Sequence, residues 1–508
     1  MSKKTHSLII LRDIIKQLKR KGKIIVHCHG VFDLIHPGHL KHFREAKQLG
    51  DILVVTLTPD NYVNKGPNRP IYNQELRAES LSALEMVDYV AINETPSAVD
   101  TIYTLKPDIY AKGKEYKDLK DLTGHIAKEK KAVEMVNGRI AFIGETIFSS
   151  TALINEYFSI LTPQTRAYLH NLKQIYTLEY ILEQITLFEN KRVLVIGDTI
   201  VDEYVFCAPV GIANKASCID AKFLSRELHL GGAAGIANHL ANFCRSVDFL
   251  SISDNEGEYL EFVESTLDPR IDDHFVKTTE NTILVKKRFL TPDENNRQIF
   301  ELTHFNHSHS NNDRYLEVWS HLKERIDNYD LVIVADYGYG FNSLNQEIIQ
   351  YLCETDIFIA ISNQTNSYNF GENLVTKYPR ANYICLDGRE LRLAAQGRIG
   401  SEKKLLKKII SQQKCEAASL IKGELGSVNW SKGSEFVDSI AFTTEVVDAT
   451  GASSAYFALT SLCAHSSLPP NLTGFMGNCV GAMMVRALGH RESITPTSLS
   501  SFVTSLLK

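Results

Sequence analysis

The chain has no CxxC pair, no apolar run of the roughly 18 residues a membrane helix needs, and no excess of basic charge, and each absence excludes a class of function. Its nine cysteines are scattered and odd in number, which fits reduced thiols rather than a disulfide framework or a zinc site. A net charge of −5 leaves no basic field for nucleic acid or an anionic membrane, so any phosphate must be gripped locally. The N-terminus lacks the long apolar stretch of a signal peptide. It reads instead as an amphipathic helix with Leu8, Leu11, Ile15 and Leu18 on one side, and a cytoplasmic location is expected. Tandem repeats and low-complexity tracts are absent too. At 508 residues the chain exceeds one core, and two to four domains are expected.

What is present is a pattern used twice: a basic residue, an apolar run, then Gly and Asp. Lys23–Val26 leads to Gly30 and Asp33; Lys191–Ile196 leads to Gly197 and Asp198. Each reads as a first, buried parallel strand ending in a functional loop. After the first come helix-like Leu40–Leu49, strand Asp51–Thr58, helix Gln74–Leu84, and strands Tyr89–Ile92 and Ile109–Ala111. That alternation predicts an α/β fold whose binding crevice lies at the carboxyl ends of parallel strands. The second run has strands at Leu331–Ala335, Ile357–Ile361, Tyr383–Leu386 and Ala418–Ile421, interrupted by β-like segments near Cys207–Leu228 and Thr282–Phe300. Between the runs, Asn155–Asn190 contains no Gly and reads as a helical connector. The expected domains are 1–158, a connector over 159–190, and 191–508.

The densest chemistry lies in Gly30-Val31-Phe32-Asp33-Leu34-Ile35-His36-Pro37-Gly38-His39. A strand enters this turn and a helix leaves it, with Pro37 suited to the first helical turn. Gly30 and Gly38 allow close backbone approach to a ligand. His36 and His39, three apart, project together at a helix N-terminus, where free amides and the helix dipole favour an anion. Two imidazoles there can donate hydrogen bonds to charge developing on a phosphate; the alternative is two surface histidines capping a helix. His27-Cys28-His29 looks like a metal-ligand set, but strand neighbours point to opposite faces, and no protein metal cage is expected.

The string G-x-F-D-x-x-H-x-G-H resembles the signature of the cytidylyltransferase-like nucleotidyltransferases, over roughly residues 7–158. The resemblance implies a Rossmann-like domain. In it His36, His39 and Lys65 would be catalytic and Asp33 would support the loop. Val31, Phe32, Gly38, Arg77, Lys112, Gly113, Ser149, Ser150 and Thr151 would bind nucleotide. Lys65 lies in Lys65-Gly66-Pro67-Asn68-Arg69-Pro70, similar to a segment that closes over the triphosphate. Lys112-Gly113-Lys114-Glu115-Tyr116 is similar to the family's K-G-x-x-Y loop, and Phe148–Thr151 to its I-S-T-T helix start, although Ser149–Thr151 also reads as an ordinary N-cap. The implied reaction is in-line attack of an acceptor phosphate on the α-phosphorus of a nucleoside triphosphate, with Mg²⁺ accompanying the nucleotide and pyrophosphate leaving. The two K-G spacings resemble the adenylyltransferase half of bifunctional heptose-phosphate kinase/adenylyltransferases. Gly144–Ile147 lacks the Arg of glycerol-phosphate cytidylyltransferases. Both features favour ATP and a sugar phosphate, for nucleotide-activated sugar and glycan synthesis; CTP, a polyol phosphate, or a non-catalytic scaffold remain alternatives.

Residues 191–508 resemble the ribokinase-like carbohydrate kinases, with the two halves in the opposite order to the bifunctional heptose enzymes. Asp202 matches the sugar-gripping Asp, Gly231 and Gly232 the substrate loop, and Lys287 and Arg288 a lid strand. Lys422-Gly423-x-x-Gly426 is similar to a nucleotide-side turn, and Glu390 matches the Glu of an N-x-x-E motif whose Asn is here Asp387. The family's D-T-x-G-A-G-D reads Asp448-Ala449-Thr450-Gly451-Ala452-Ser453-Ser454, with Ser453 for the second Gly and Ser454 for the catalytic Asp. A hydroxyl cannot take the substrate's proton near neutral pH. Gln364 also stands where the heptose kinases carry Lys. The resemblance therefore implies a pseudokinase with a small β lid, and dimerisation of the whole protein through that lid.

Overall fold

The computed structural model describes residues 4–63, 66, 69–116, 125–144, 161–278, 283–292, 297–304, 312–339, 346–397, 399–443, 445–489 and 493–508. It divides into two compact units, Met1–Leu178 with Thr497–Lys508, and Glu179–Pro496.

The first unit is built on a five-stranded sheet of order β3-β2-β1-β4-β5, with β1 Ile25–Gly30, β2 Ile52–Leu57, β3 Tyr89–Ile92, β4 Ile109–Gly113 and β5 Arg139–Ile143. All its pairings are parallel. Strand alternation sorts β1 cleanly. Val26 and Cys28 enter one core with Phe43, Leu53, Val55 and Leu81, while Ile25 packs on the other face with Leu8, Leu11, Ile15 and Val54. Helix α1 (Leu8–Arg20) thus buries the expected apolar side, with Leu18 half-buried at its edge. Helix α2 (Pro37–Gln48) follows β1, α3 (Gln74–Ser82) precedes β3, α4 (Val99–Leu105) precedes β4, and α5 (His125–Met135) precedes β5.

The second unit has a nine-stranded sheet of order β10-β9-β6-β13-β14-β15-β16-β17-β18. Its strands are β6 Arg192–Gly197, β9 Ser246–Asp254, β10 Ile271–Thr278, β13 Leu331–Asp336, β14 Phe358–Asn363, β15 Tyr383–Asp387, β16 Ala417–Ile421, β17 Ser427–Ser431 and β18 Val437–Ser439. It is parallel through β16 and antiparallel beyond. A separate sheet of order β12-β11-β7-β8 joins β7 Thr199–Ile212, β8 Ile219–Gly231, β11 Leu284–Leu290 and β12 Gln298–His304, and it is the expected lid. One side of it is apolar yet exposed: Val210, Ile212, Ile219, Phe223, Phe300 and Leu302 are each 44–72% accessible.

The division of the chain departs from expectation at two places. The connector is two helices, Pro163–Ile175 and Leu178–Thr186, separated where Tyr176 turns extended. The first buries Thr165, Leu169 and Leu172 and belongs to the N-terminal unit, so the boundary falls twenty residues later than 158. From Thr497 on, the last helix, Pro496–Leu507, also belongs to the N-terminal unit and not to the second. No described helix is long and apolar enough to cross a membrane.

Candidate active site

The HxGH turn sits where β1 ends and α2 begins, at the carboxyl edge of the parallel sheet. Phe32 adopts φ +51°, and its ring lies across Gly30, where a Cβ would come within 2.9 Å of it. A side chain at position 30 would have to displace that ring. Phe32 meets His39 edge-on at 5.3 Å and Phe43 at 5.2 Å, and this aromatic stack supports the turn. His36 is the N-cap of α2, its Nδ1 accepting from the Gly38 N–H at 3.1 Å, with Pro37 in the first turn. That bond places the ring's proton on Nε2 in the neutral tautomer. The His36 and His39 rings stack 3.9 Å apart at 25°. Burial lowers the pKa of both, that of His39 to about 3 with help from the neighbouring His36 and His42. Both rings therefore favour the neutral form, which carries one N–H each; that of His36 is on Nε2, and the His39 ring is also hydrogen-bonded to the Leu34 backbone.

Asp33 does more than support its loop. Its carboxylate pairs with the Arg69 guanidinium, both side chains at most 2% exposed, and accepts from the Ile71 N–H at 2.7 Å. This fastens the segment following Lys65 to the HxGH turn. Lys65 itself, and Ser149, Ser150 and Thr151, lie outside the described residues.

Arg77, expected at the nucleotide, is bonded to protein groups. It is 1% exposed, and its guanidinium donates to the carbonyls of Tyr72, Val31 and Thr58 and to Asp60. With four donors spent on protein it holds the backbone of the turn, Val31 included, and has little left for a phosphate. Lys112, at the end of β4 beside Gly113, is likewise committed. Its ammonium lies 2.9 Å from Glu129 and over the rings of Tyr110 and Tyr116, and although burial opposes the charge, these neighbours hold its pKa up. His27 and His29 share the Thr56 hydroxyl at 2.8 and 2.9 Å, and His27, fully buried, is pushed down to about 3. Cys28 points to the opposite core, so the trio is not a metal set. Sequence reading missed Arg69, Asp60 and Glu129 as partners. They are distant carboxylates and a guanidinium that only the fold brings into contact.

In the second unit Asp202 is tied up by Arg288, which also reaches Glu301 at 3.1 Å. A Cβ on Gly231 would lie 2.5 Å from the Asp202 carboxylate, which would have to shift to admit a side chain there. Gly232 takes φ +57° beside Asp198 and Ile200. Ser454 Oγ lies 2.9 Å from the Tyr337 hydroxyl, Gly451 (φ +81°) caps the helix Ala452–His465, and Ser453 is exposed. Asp448 accepts from Tyr204, Thr450 N–H and Gly489 N–H. Glu390 forms a reciprocal cap with Asp387, and burial, then the Asp387 charge, push its pKa up to about 8. Asn366, Asn369 and Asn373 clamp the carbonyls that follow β13. Among the described residues, one cluster has metal-ligand geometry, Asp248, Asp272 and His274, and Arg325 already reaches all three.

A family model described as cytidylyltransferase-like matches residues 27–162, the span that contains this turn. The N-terminal unit thus contains a domain similar to the cytidylyltransferase-like family. This domain is 39% identical over 150 residues to the bifunctional protein HldE of Campylobacter fetus, covering 29% of this chain and 31% of that protein. It is 43% identical over 128 residues to the HldE of a Nitratiruptor species, covering 25% and 28%. The match therefore spans less than a third of these relatives. The remainder of the chain has the fold of Escherichia coli phosphofructokinase-2, with a TM-score of 0.50 over 63% of this chain and all of that one, at 11% identity. The cytidylyltransferase-like domain and the kinase-like fold thus account for both units.

Proposed function

We infer that the protein transfers a nucleoside monophosphate, favouring the adenylyl group of ATP, onto a sugar 1-phosphate of the heptose class. The observation that carries this reading is the neutral, stacked His36–His39 pair at the N-terminus of α2. It sets two imidazoles beside the amides of a helix N-terminus, where an anionic phosphate would sit at the crevice edge. Identity with the HldE proteins, confined to this domain, supports the substrate class. The acceptor phosphate attacks the α-phosphorus in line and pyrophosphate leaves; no covalent enzyme intermediate is needed. His36 and His39 steady the charge that builds on the bridging and α-phosphate oxygens, and Lys65 is assigned to the triphosphate by the resemblance. The carboxylates described near the turn, Asp33 and Asp60, are committed to Arg69 and Arg77. The fit is therefore to Mg²⁺ that arrives on the triphosphate, where it neutralises phosphate charge. Screening pyrophosphate release over four nucleoside triphosphates and a panel of sugar and polyol phosphates tests the assignment. Turnover confined to CTP with a polyol phosphate would replace it.

The kinase-like unit is read as inactive. At position 454 a hydroxyl in contact with Tyr337 stands in place of the Asp, and Asp202 is paired with Arg288. Its role is assembly: the exposed apolar side of the lid sheet would be an aggregation hazard unless covered, and a second lid is the matching partner.

A further inference from the structure

Strand β11 carries three cations in a row, Lys286, Lys287 and Arg288. Alternation sends Lys287 to one side of the lid sheet and its two neighbours to the other. Lys287 is paired with Glu203 at 3.0 Å and lies over the Tyr259 ring. Arg288 takes both Asp202 and Glu301. Lys286, in register with Asp202 across the β11–β7 pair, is left over. Its ammonium forms neither an ion pair nor a hydrogen bond with any described residue. Another nearby acid, Asp198, accepts from the Tyr337 N–H at 3.1 Å and the Tyr339 N–H at 3.4 Å. What Lys286 meets is aromatic. Its Nζ stands 5.3 Å from the centre of the Tyr339 ring, and that ring meets the exposed Tyr368 at 6.2 Å.

Burial lowers the pKa of this ammonium, and the charges of Asp202, Glu301 and Asp198 recover only part of the loss. A cation withdrawn from water without a counter-charge destabilises the fold, and the face of a ring returns less than a carboxylate would. An anion arriving from solution would supply what the protein does not. The charge offered on this side of the lid has also changed sign. Asp202, which the resemblance assigns to neutral sugar hydroxyls, is closed off by Arg288, and the charge left over beside it is positive. We propose that the second unit binds a small organic anion, a phosphate monoester or a carboxylate, whose charged group pairs with Lys286 and whose carbon frame lies against Tyr339 and Tyr368. This is binding without turnover, and it does not rest on nucleotidyl transfer by the first unit.

Two variants of the full chain test this: Lys286→Met, which keeps the stem over Tyr339 and removes the charge, and Lys286→Arg, which keeps the charge. A lysine that only supports the fold and a lysine that awaits a ligand predict opposite shifts. In phosphate-free buffer without ligand, K286M should melt about 2 °C above wild type, because the uncompensated charge is gone. The same variant should lose the ligand. Calorimetric titrations use ribose 5-phosphate, gluconate and, as the neutral control, ribose; phosphate sites elsewhere in the chain cancel between wild type and variant. Ribose 5-phosphate should bind wild type with a Kd at or below about 1 mM if the ligand is a phosphate monoester, and gluconate if it is a carboxylate. That affinity should fall at least about tenfold in K286M and stay within about threefold in K286R, while ribose gives no Lys286-dependent heat. A K286M that melts below wild type or fails to fold overturns the proposal. So does binding of both anions that is the same in wild type and K286M, or ribose binding as tightly as the anions.

Discussion

Replacing Asp33 by alanine removes the carboxylate and leaves the Arg69 guanidinium buried at 2% exposure without its counter-charge. Breaking a buried ion pair from one side costs about 3–5 kcal/mol, and the Ile71 N–H loses its acceptor as well. Water entering the loop would relieve part of this, so about 3 kcal/mol is the working figure, a factor of about 10² in the opening equilibrium. Cys28 gives a local readout, since it sits 1% exposed in the core beneath the same turn and burial pushes its thiol up to about 12. It reacts only when the unit opens. Labelling of the Cys28 peptide by a small alkylating reagent, followed by mass spectrometry, should run about 10² faster in D33A. Arg69→Leu should do comparable damage, and the double variant should be less damaged than the two losses summed, because each single change strands a charge that the double removes. D33A labelling within about threefold of wild type, or strictly additive losses, would refute the account of Asp33 as a clamp.

Four further outcomes are expected. His36→Ala and His39→Ala should each lower the rate of pyrophosphate release by about 10²–10³ if each donates to transition-state charge, and steady-state kinetics measures this directly. Glu390 has its pKa raised from 4.5 to about 8, so the folded unit binds the extra proton. Its contribution is fully present below pH 4.5 and lost as pH rises towards 8. Glu390→Gln should therefore melt higher than wild type at pH 8 and lose that advantage near pH 5, by thermal scans at both. The chain should phosphorylate no free sugar, and Ser454→Asp alone should not restore that activity, because Arg288 still neutralises Asp202; thin-layer separation of labelled products decides it. Light scattering should give a dimer at micromolar concentration, and Phe223→Lys with Ile219→Lys on the lid should give monomer.

Much of this was legible in the residues. Strong apolar runs at Lys23–Val26 and Lys191–Ile196 announce central parallel strands, and the alternation after each announces the sheets they anchor. Strands β5, β9 and β10 escaped notice because they read as mixed polar segments. β5 and β10 lie at sheet edges, and β10 interleaves Asp272, Asp273 and His274, so burial does not purify their sequence. The HxGH turn was readable because its chemistry is local, packed into ten residues. The protein partners of Arg77 and Lys112 were not legible, for the opposite reason. A basic residue at the right spacing says nothing about the carbonyls and carboxylates that claim it, and Asp60 and Glu129 meet them only through the fold. The return of helix Pro496–Leu507 to the first unit is equally invisible, since its uncharged sequence would suit either core.

The first unit should move a nucleoside monophosphate and the second should move nothing. ATP labelled separately on its α- and γ-phosphates, incubated with Mg²⁺ and a heptose 1-phosphate, tests both halves in one experiment. The account predicts α-label in the sugar product and γ-label in pyrophosphate, with both signals abolished in H36A/H39A. γ-Label appearing in the sugar, or α-label remaining in unreacted nucleotide across the acceptor panel, would contradict it.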